Sequence, residues 1–421
     1  MRRTGPAVRH LIQCVLVVVL VFVAPGQPRG QDMPHNFEVD AAAAVLMDAG
    51  TGQFVYGQNP HQRIVPASFV KVLTLFLVFD AIERGQVQPN DLIPISERAW
   101  RTGGSKMFVR VGEHVPLDEL IKGIAVVSGN DACIAVAEYL QGSEEAFVRK
   151  MNEKIGELGL RETKVQTVNG WPAPDQYTTA ADMALLSRAY IQAHPRALEY
   201  HKMQEYTYQR IRQYNRNGLL LQDPSVDGLK TGHTEETGYH LVATAKRGDQ
   251  RFIAVVMDAK KDSVREREAL RLLNYGFRNF AAVMPFQKGQ ILGRAPVWKG
   301  TEKEVGLAAG AAGAITVPME LKESVTYSTN APERFMAPLE MGQALGEAVI
   351  SAKNVVLKTV PLIADRNIPQ AGFFKRAIDS VTLSVSSSRS KLVVIGTVVA
   401  VGVVGLLSLF FLLRPRKFSK K

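Results

Sequence analysis

The 421-residue sequence predicts an α+β (mixed α/β) domain with helices packed on an antiparallel sheet, followed by a small all-β domain and a C-terminal transmembrane helix. Three observations lead there. Strand-like stretches at 41–57 and 239–258 bracket four helical patterns, an arrangement that suggests one mixed α/β domain. Beyond about residue 280, short alternating runs separated by Gly, Pro and Asn replace the helical texture. Residues 392–413 contain no charge at all.

The first thirty residues run basic (Arg2, Arg3, Arg9), then apolar from Leu11 to Ala24, then Pro25-Gly26-Gln27-Pro28, the pattern of a secretory signal peptide over 1–26 with cleavage after Gly26. Within the next domain, 31–280, residues 41–57 hold two apolar runs around Asp48-Ala49-Gly50-Thr51-Gly52 and read as a hairpin. Residues 66–82 are nearly all apolar and too long for one strand, so they read as a buried helix. Helical spacing recurs at 117–140, 143–159 and 179–193, and strands return at 239–246 and 251–258, where they can share a sheet with the hairpin. The all-β domain spans 281–370, and an apolar-basic and Ser-rich segment, 371–390, reads as an amphipathic helix or a plain tether. The uncharged stretch, 391–413 with its Lys391 flank, is long enough to cross a bilayer. Its basic tail, 414–421, marks the cytoplasmic side, which places the body of the chain outside the inner (plasma) membrane, on the periplasmic face.

Composition excludes several classes. With 46% hydrophobic and 22% charged residues the chain is neither disordered nor collagen-like. The net charge is +11, but ten of the excess cations lie in residues 1–30 and 391–421, leaving +1 for the body, so nucleic-acid binding has no electrostatic basis. Of the two cysteines only Cys133 would survive export, which excludes an internal disulfide, and its apolar helical setting marks it as core. The eight histidines show no metal-ligand spacing, and no phosphate loop or dinucleotide fingerprint occurs, so neither metal nor cofactor is expected.

The chemistry lies in three short motifs. Ser68-Phe69-Val70-Lys71 opens the buried helix, putting an amine at i+3 from a hydroxyl that faces the positive end of the helix dipole. Alone this is weak, since Ser388-Arg389-Ser390-Lys391 also matches, as Ser328-Thr329-Asn330 duplicates Ser128-Gly129-Asn130. Lys230-Thr231-Gly232 occurs once, just before a strand, and the ordered set of all three motifs is what penicillin-interacting serine enzymes carry.

Around these motifs the stretches NPHQRIVPASFVKVLT, GGSKMFVRVGE, SGNDACIAVAEYLQGSEEAFVRKMN, NRNGLL and VDGLKTGHTEETGYHLVATA resemble low-molecular-weight penicillin-binding proteins of peptidase family S11, the serine D-alanyl-D-alanine carboxypeptidases. The resemblance covers about residues 40–260 and implies a penicillin-binding/β-lactamase-like transpeptidase domain. It implies that Ser68 attacks the D-Ala-D-Ala carbonyl with Lys71 as its base, that Ser128 passes the proton on, and that Asn130 positions the substrate amide and Lys71. Lys230, Thr231, Gly232 and Arg216 would bind the terminal carboxylate, and the backbone N–H groups of Ser68 and His233 would form the oxyanion hole. Expected partners are peptidoglycan stem peptides, β-lactam antibiotics as covalent inhibitors, and the membrane; a homodimer and cell-wall synthesis complexes stay open. The same residues would serve a D,D-endopeptidase, while a non-catalytic wall-binding scaffold would have no use for Lys71. No E-x-x-L-N segment lies between Asn130 and Lys230, so rapid β-lactam hydrolysis is not expected.

Overall fold

The computed structural model describes residues 37–387. The signal peptide, the uncharged stretch and the basic tail expected from the sequence lie outside the described residues. Among the described residues no helix is long and apolar enough to cross a membrane.

A five-stranded antiparallel sheet organises the first domain. Its strands are β1 (Ala43–Asp48), β2 (Phe54–Gln58), β3 (Val226–Thr234), β4 (Gly238–Arg247) and β5 (Gln250–Ala259), in the order β2-β1-β5-β4-β3. The hairpin and the 239–258 pair thus share a sheet, as the sequence suggests. Strands β1 and β5 are apolar on both faces because both are covered. Val45, Met47, Ile253, Val255 and Met257 face the large helical core. On the opposite face, helix 262–279 comes so close that a Cβ on Gly276 would lie 2.9 Å from Leu46 Cδ2 and 3.1 Å from Phe252 Cδ2.

Helix α1 (Val70–Glu83) runs through the helical core, and its uniformly apolar sequence reflects burial on nearly every side. Of its polar residues, Lys71 and Thr74 are fully buried and donate to consecutive carbonyls, Asn169 O at 2.6 Å and Val168 O at 2.5 Å. Around α1 stand α2 (Leu117–Ala125), α3 (Asn130–Gln141), α4 (Glu144–Glu157) and α5 (Ala180–Ala193).

Three details differ from the sequence reading. Ser68 sits in a short 3-10 turn, Ala67–Phe69, ahead of α1, because Ala67 takes φ +48° and interrupts the α-helical path. The 117–140 stretch is two helices, broken where Ser128 takes φ +62°. Lys230-Thr231-Gly232 lies inside β3 rather than before a strand.

The second domain follows the helix 262–279. Strand Phe280–Val283 pairs with Ile315–Pro318, and a six-stranded sheet carries the remaining strands around a core that includes Val305, Ile350 and Leu362. The two domains touch where Thr51 Oγ1 meets Thr316 Oγ1 at 2.6 Å. A helix, Phe373–Ser387, follows, tied back where the Lys299 N–H donates to Asp379 Oδ2 at 2.7 Å, with Phe373 and Phe374 exposed.

Two buried histidines set the acid limit of the fold. Burial lowers the pKa of His201 from 6.5 to about 3 and that of His240 from 6.5 to about 4. The unfolded chain therefore binds protons near pH 6.5 that the folded chain does not, so stability falls as pH drops below 6.5. Urea unfolding midpoints measured from pH 6.5 down to 4 are expected to fall, and His201→Phe is expected to make the fall shallower. An unchanged slope in the variant would remove His201 from this account.

Candidate active site

Four segments meet at the head of α1. The first is the nucleophile turn. Lys71 Nζ lies 2.8 Å from Ser68 Oγ, as the i+3 spacing predicts. Lys71 is 0% exposed, and burial first, with the Arg216 charge adding to it, lowers its pKa from 10.5 to about 8. As an ammonium it donates to Ser68 Oγ; once neutral, the same separation lets the hydroxyl donate to it. The chain enters this turn through Val65, whose carbonyl accepts from His240 Nε2 at 3.2 Å, while His240 Nδ1 accepts the Asp258 N–H at 2.8 Å. That pair of bonds fixes the neutral tautomer.

The second segment carries Ser128 and Asn130. Ser128 is buried, and its hydroxyl finds no hydrogen-bond partner among the described residues. Asn130 Nδ2 donates to Gly103 O at 2.8 Å, and its backbone N–H to Ser105 O at 2.7 Å. Next to it the buried Asp131 carboxylate accepts from the N–H groups of Met107 at 3.0 Å, Phe108 at 2.9 Å and Ala132 at 3.0 Å. Asp131 therefore locks the 103–109 loop against α3, a role the sequence reading missed. A buried acid directly after S-x-N was the available signal.

The third segment is β3, at the edge of the sheet. A Cβ on Gly232 would stand 3.3 Å from Ala67 Cβ and 3.4 Å from Pro66 O, so the strand runs directly beside the nucleophile turn. Lys230 is 3% exposed, donates to Thr231 O at 3.0 Å, and is held well below its usual pKa by burial, then by the charges of Lys71 and Arg216. Thr231 is buried beside it, whereas His233 is exposed with its ring 4.1 Å from Tyr239. Arg216 projects from a loop pinned by Asn217 Nδ2 donating to Gly228 O at 3.0 Å. Behind both, buried Arg265 donates to Gly232 O at 3.3 Å and Arg216 O at 3.2 Å, a further contribution the motifs did not reveal.

The fourth segment, 168–171, was also missed. Asn169 supplies the carbonyl that holds Lys71, and Gly170, at φ +81°, presses on the nucleophile turn so closely that a Cβ there would lie 1.7 Å from Ala67 O. The Asn-Gly pair signals a turn, but nothing in the sequence says which turn touches Ser68.

The site thus pairs a hydroxyl with a buried amine and surrounds them with Lys230, Arg216 and Arg265, a setting for nucleophilic attack on a substrate bearing an anion. Among the described residues no cluster of His, Cys, Asp or Glu could hold a metal.

Residues 30–261 match the family model described as D-alanyl-D-alanine carboxypeptidase, and 280–370 match that of the penicillin-binding protein 5 C-terminal domain. The chain is 40% identical to the Escherichia coli D-alanyl-D-alanine carboxypeptidase DacC over 82% of its own length and 88% of the relative. It is 38% identical to Escherichia coli DacA, over 83% and 89% respectively. The structure of penicillin-binding protein 5 from Haemophilus influenzae superposes with TM-score 0.77 at 33% identity, covering 81% of this chain and 100% of that one. Penicillin-binding protein D2 from Listeria monocytogenes in its ampicillin-bound form gives 0.54 at 28% identity, covering 58% of this chain and 100% of that one. With site geometry, both domains and these likenesses in agreement, the chain belongs to the D-alanyl-D-alanine carboxypeptidase family, peptidase family S11.

Proposed function

We propose the following division of labour for a serine D-alanyl-D-alanine carboxypeptidase that removes the terminal D-alanine from peptidoglycan stem peptides. The observation that carries it is the buried Lys71 amine 2.8 Å from Ser68 Oγ. A pKa of about 8 leaves about one amine in ten neutral at about pH 7, against about one in three thousand for an ordinary lysine. Neutral Lys71 takes the Ser68 proton as Oγ attacks the carbonyl carbon, and the Ser68 and His233 N–H groups receive the developing oxyanion. When the C–N bond breaks, the proton returns by way of Ser128 to the amine of the departing D-alanine. Water then attacks the ester, Lys71 accepts its proton, and that proton passes to the Ser68 oxygen as the acyl C–O bond breaks. Asn130 orients the donor amide.

Lys230, Thr231, Gly232 and Arg216 hold the terminal carboxylate. Two buried, mutually repelling lysines cannot both be charged at low cost. An incoming carboxylate stabilises the ammonium of Lys230, and that charge in turn keeps Lys71 neutral. β-Lactams follow the acylation path, but their amine stays tethered to the acyl group and the ester persists. The apolar N-terminal leader, the uncharged stretch at 392–413 and the basic tail support an exported enzyme anchored at its C-terminus, with the site on the periplasmic face.

D-alanine release from a pentapeptide stem is expected to fall at least about a thousandfold in Ser68→Ala, since the covalent route is lost. Measured beside a cross-linked dimer, the same assay separates a carboxypeptidase from an endopeptidase. Acylation kcat/KM is expected to rise with pH, pass its midpoint near pH 8 and level off above it, because Lys71 acts only after losing its proton. A flat profile from pH 6 to about 8 would exclude Lys71 as the base. Full-length protein is expected in the membrane pellet after alkaline carbonate washing, and protein lacking 391–421 in the supernatant.

A further inference from the structure

Trp171 is 50% exposed, although it follows directly on the Asn169-Gly170 pair that closes over Ser68 and Lys71. Its benzo edge lies against the 103–104 loop. A Cβ on Gly103 would be 3.2 Å from Trp171 Cη2, and one on Gly104 2.9 Å from Cζ3. That same point above Gly104 is 2.7 Å from Asn130 Nδ2, so the indole and the Asn130 amide border one spot in the cleft. Larger residues at 103 and 104 would push the ring away, and Gly104 at φ +74° favours glycine for its backbone as well.

The backbone that bears the indole is also held. The Trp171 N–H donates to Asn169 Oδ1 at 2.9 Å, and the Trp171 carbonyl accepts from Gln176 Nε2 at 3.0 Å and Thr167 Oγ1 at 3.2 Å. Gln176 is itself buried, and its Oε1 accepts the N–H groups of Gln166 at 3.0 Å and Thr167 at 3.2 Å. A large aromatic surface, fixed in place yet half exposed, is preorganised to bind: it loses little freedom when a ligand covers it.

We infer that Trp171 walls the acyl-donor subsite and determines donor specificity, packing against the apolar stem of the side chain borne by the residue that precedes D-alanyl-D-alanine. The placement rests on the role given to Asn130 above: a donor amide held by Asn130 Nδ2 carries its next group past the indole. The ligand class is an N-acyl group with an aliphatic or aromatic body of several carbons, and a short acetyl group would leave the ring uncovered.

The test compares two penicillins on the full-length protein in detergent: benzylpenicillin, which carries a phenylacetyl group, and aminopenicillanic acid, which carries none. In Trp171→Ala the ratio of their acylation rates is expected to fall about tenfold toward the unsubstituted nucleus, and in Trp171→Phe most of the ratio should return. In the wild type, benzylpenicillin should also change the emission of the three tryptophans, and this change should be lost in Trp171→Phe. Equal slowing with both compounds would reduce Trp171 to a structural support and overturn the inference while leaving the Ser68 chemistry intact. Failure of both compounds to acylate the wild type would overturn the catalytic reading itself, and the donor subsite with it.

Discussion

Two lysine amines removed from water, with no carboxylate paired to either among the described residues, are the constraint on which the site depends. A buried charge elsewhere shows the contrast: Glu268, 1% exposed, is neutralised by Arg267 and Arg271. Lys71 and Lys230 receive no carboxylate: each has one carbonyl oxygen, from Asn169 and Thr231, and Lys71 has the Ser68 hydroxyl as well. Carbonyls orient an amine in either protonation state but compensate a full charge poorly, so the fold holds a lysine in its basic form at the expense of stability.

Everything near the pair serves to keep it in place. The large core fixes α1 so that Lys71 and Thr74 anchor 168–169. Asp131 gathers the 103–109 loop onto α3, and Arg265 ties β3 to the Arg216 loop from behind. Thr74, Asp131 and Arg265 break no bond, but each sets the position of a residue that does.

Much of this was legible in the sequence, for identifiable reasons. Sheet strands and the central helix declare themselves through apolar runs, and Ser68 with Lys71 through their i+3 spacing. The break at Ser128 was hidden because α2 and α3 continue one apolar pattern, and the φ +62° between them has no glycine to announce it. The placement of K-T-G inside β3 was obscured because an edge strand holding a polar pocket lacks the expected alternation. Asn169, Gly170, Arg265 and Trp171 act through contacts distant in sequence, and no local pattern encodes those.

The contact between Gly170 and Ala67 also bears on how such an enzyme can change. With an added carbon falling 1.7 Å from a backbone oxygen, every single substitution at 170 distorts the turn that bears the nucleophile. The neighbouring Trp171 has solvent on its outer side and can vary. Adaptation to a new wall peptide, or escape from an inhibitor, is thereby steered one residue along the chain: the hinge of the site is closed to drift while its rim stays open to it.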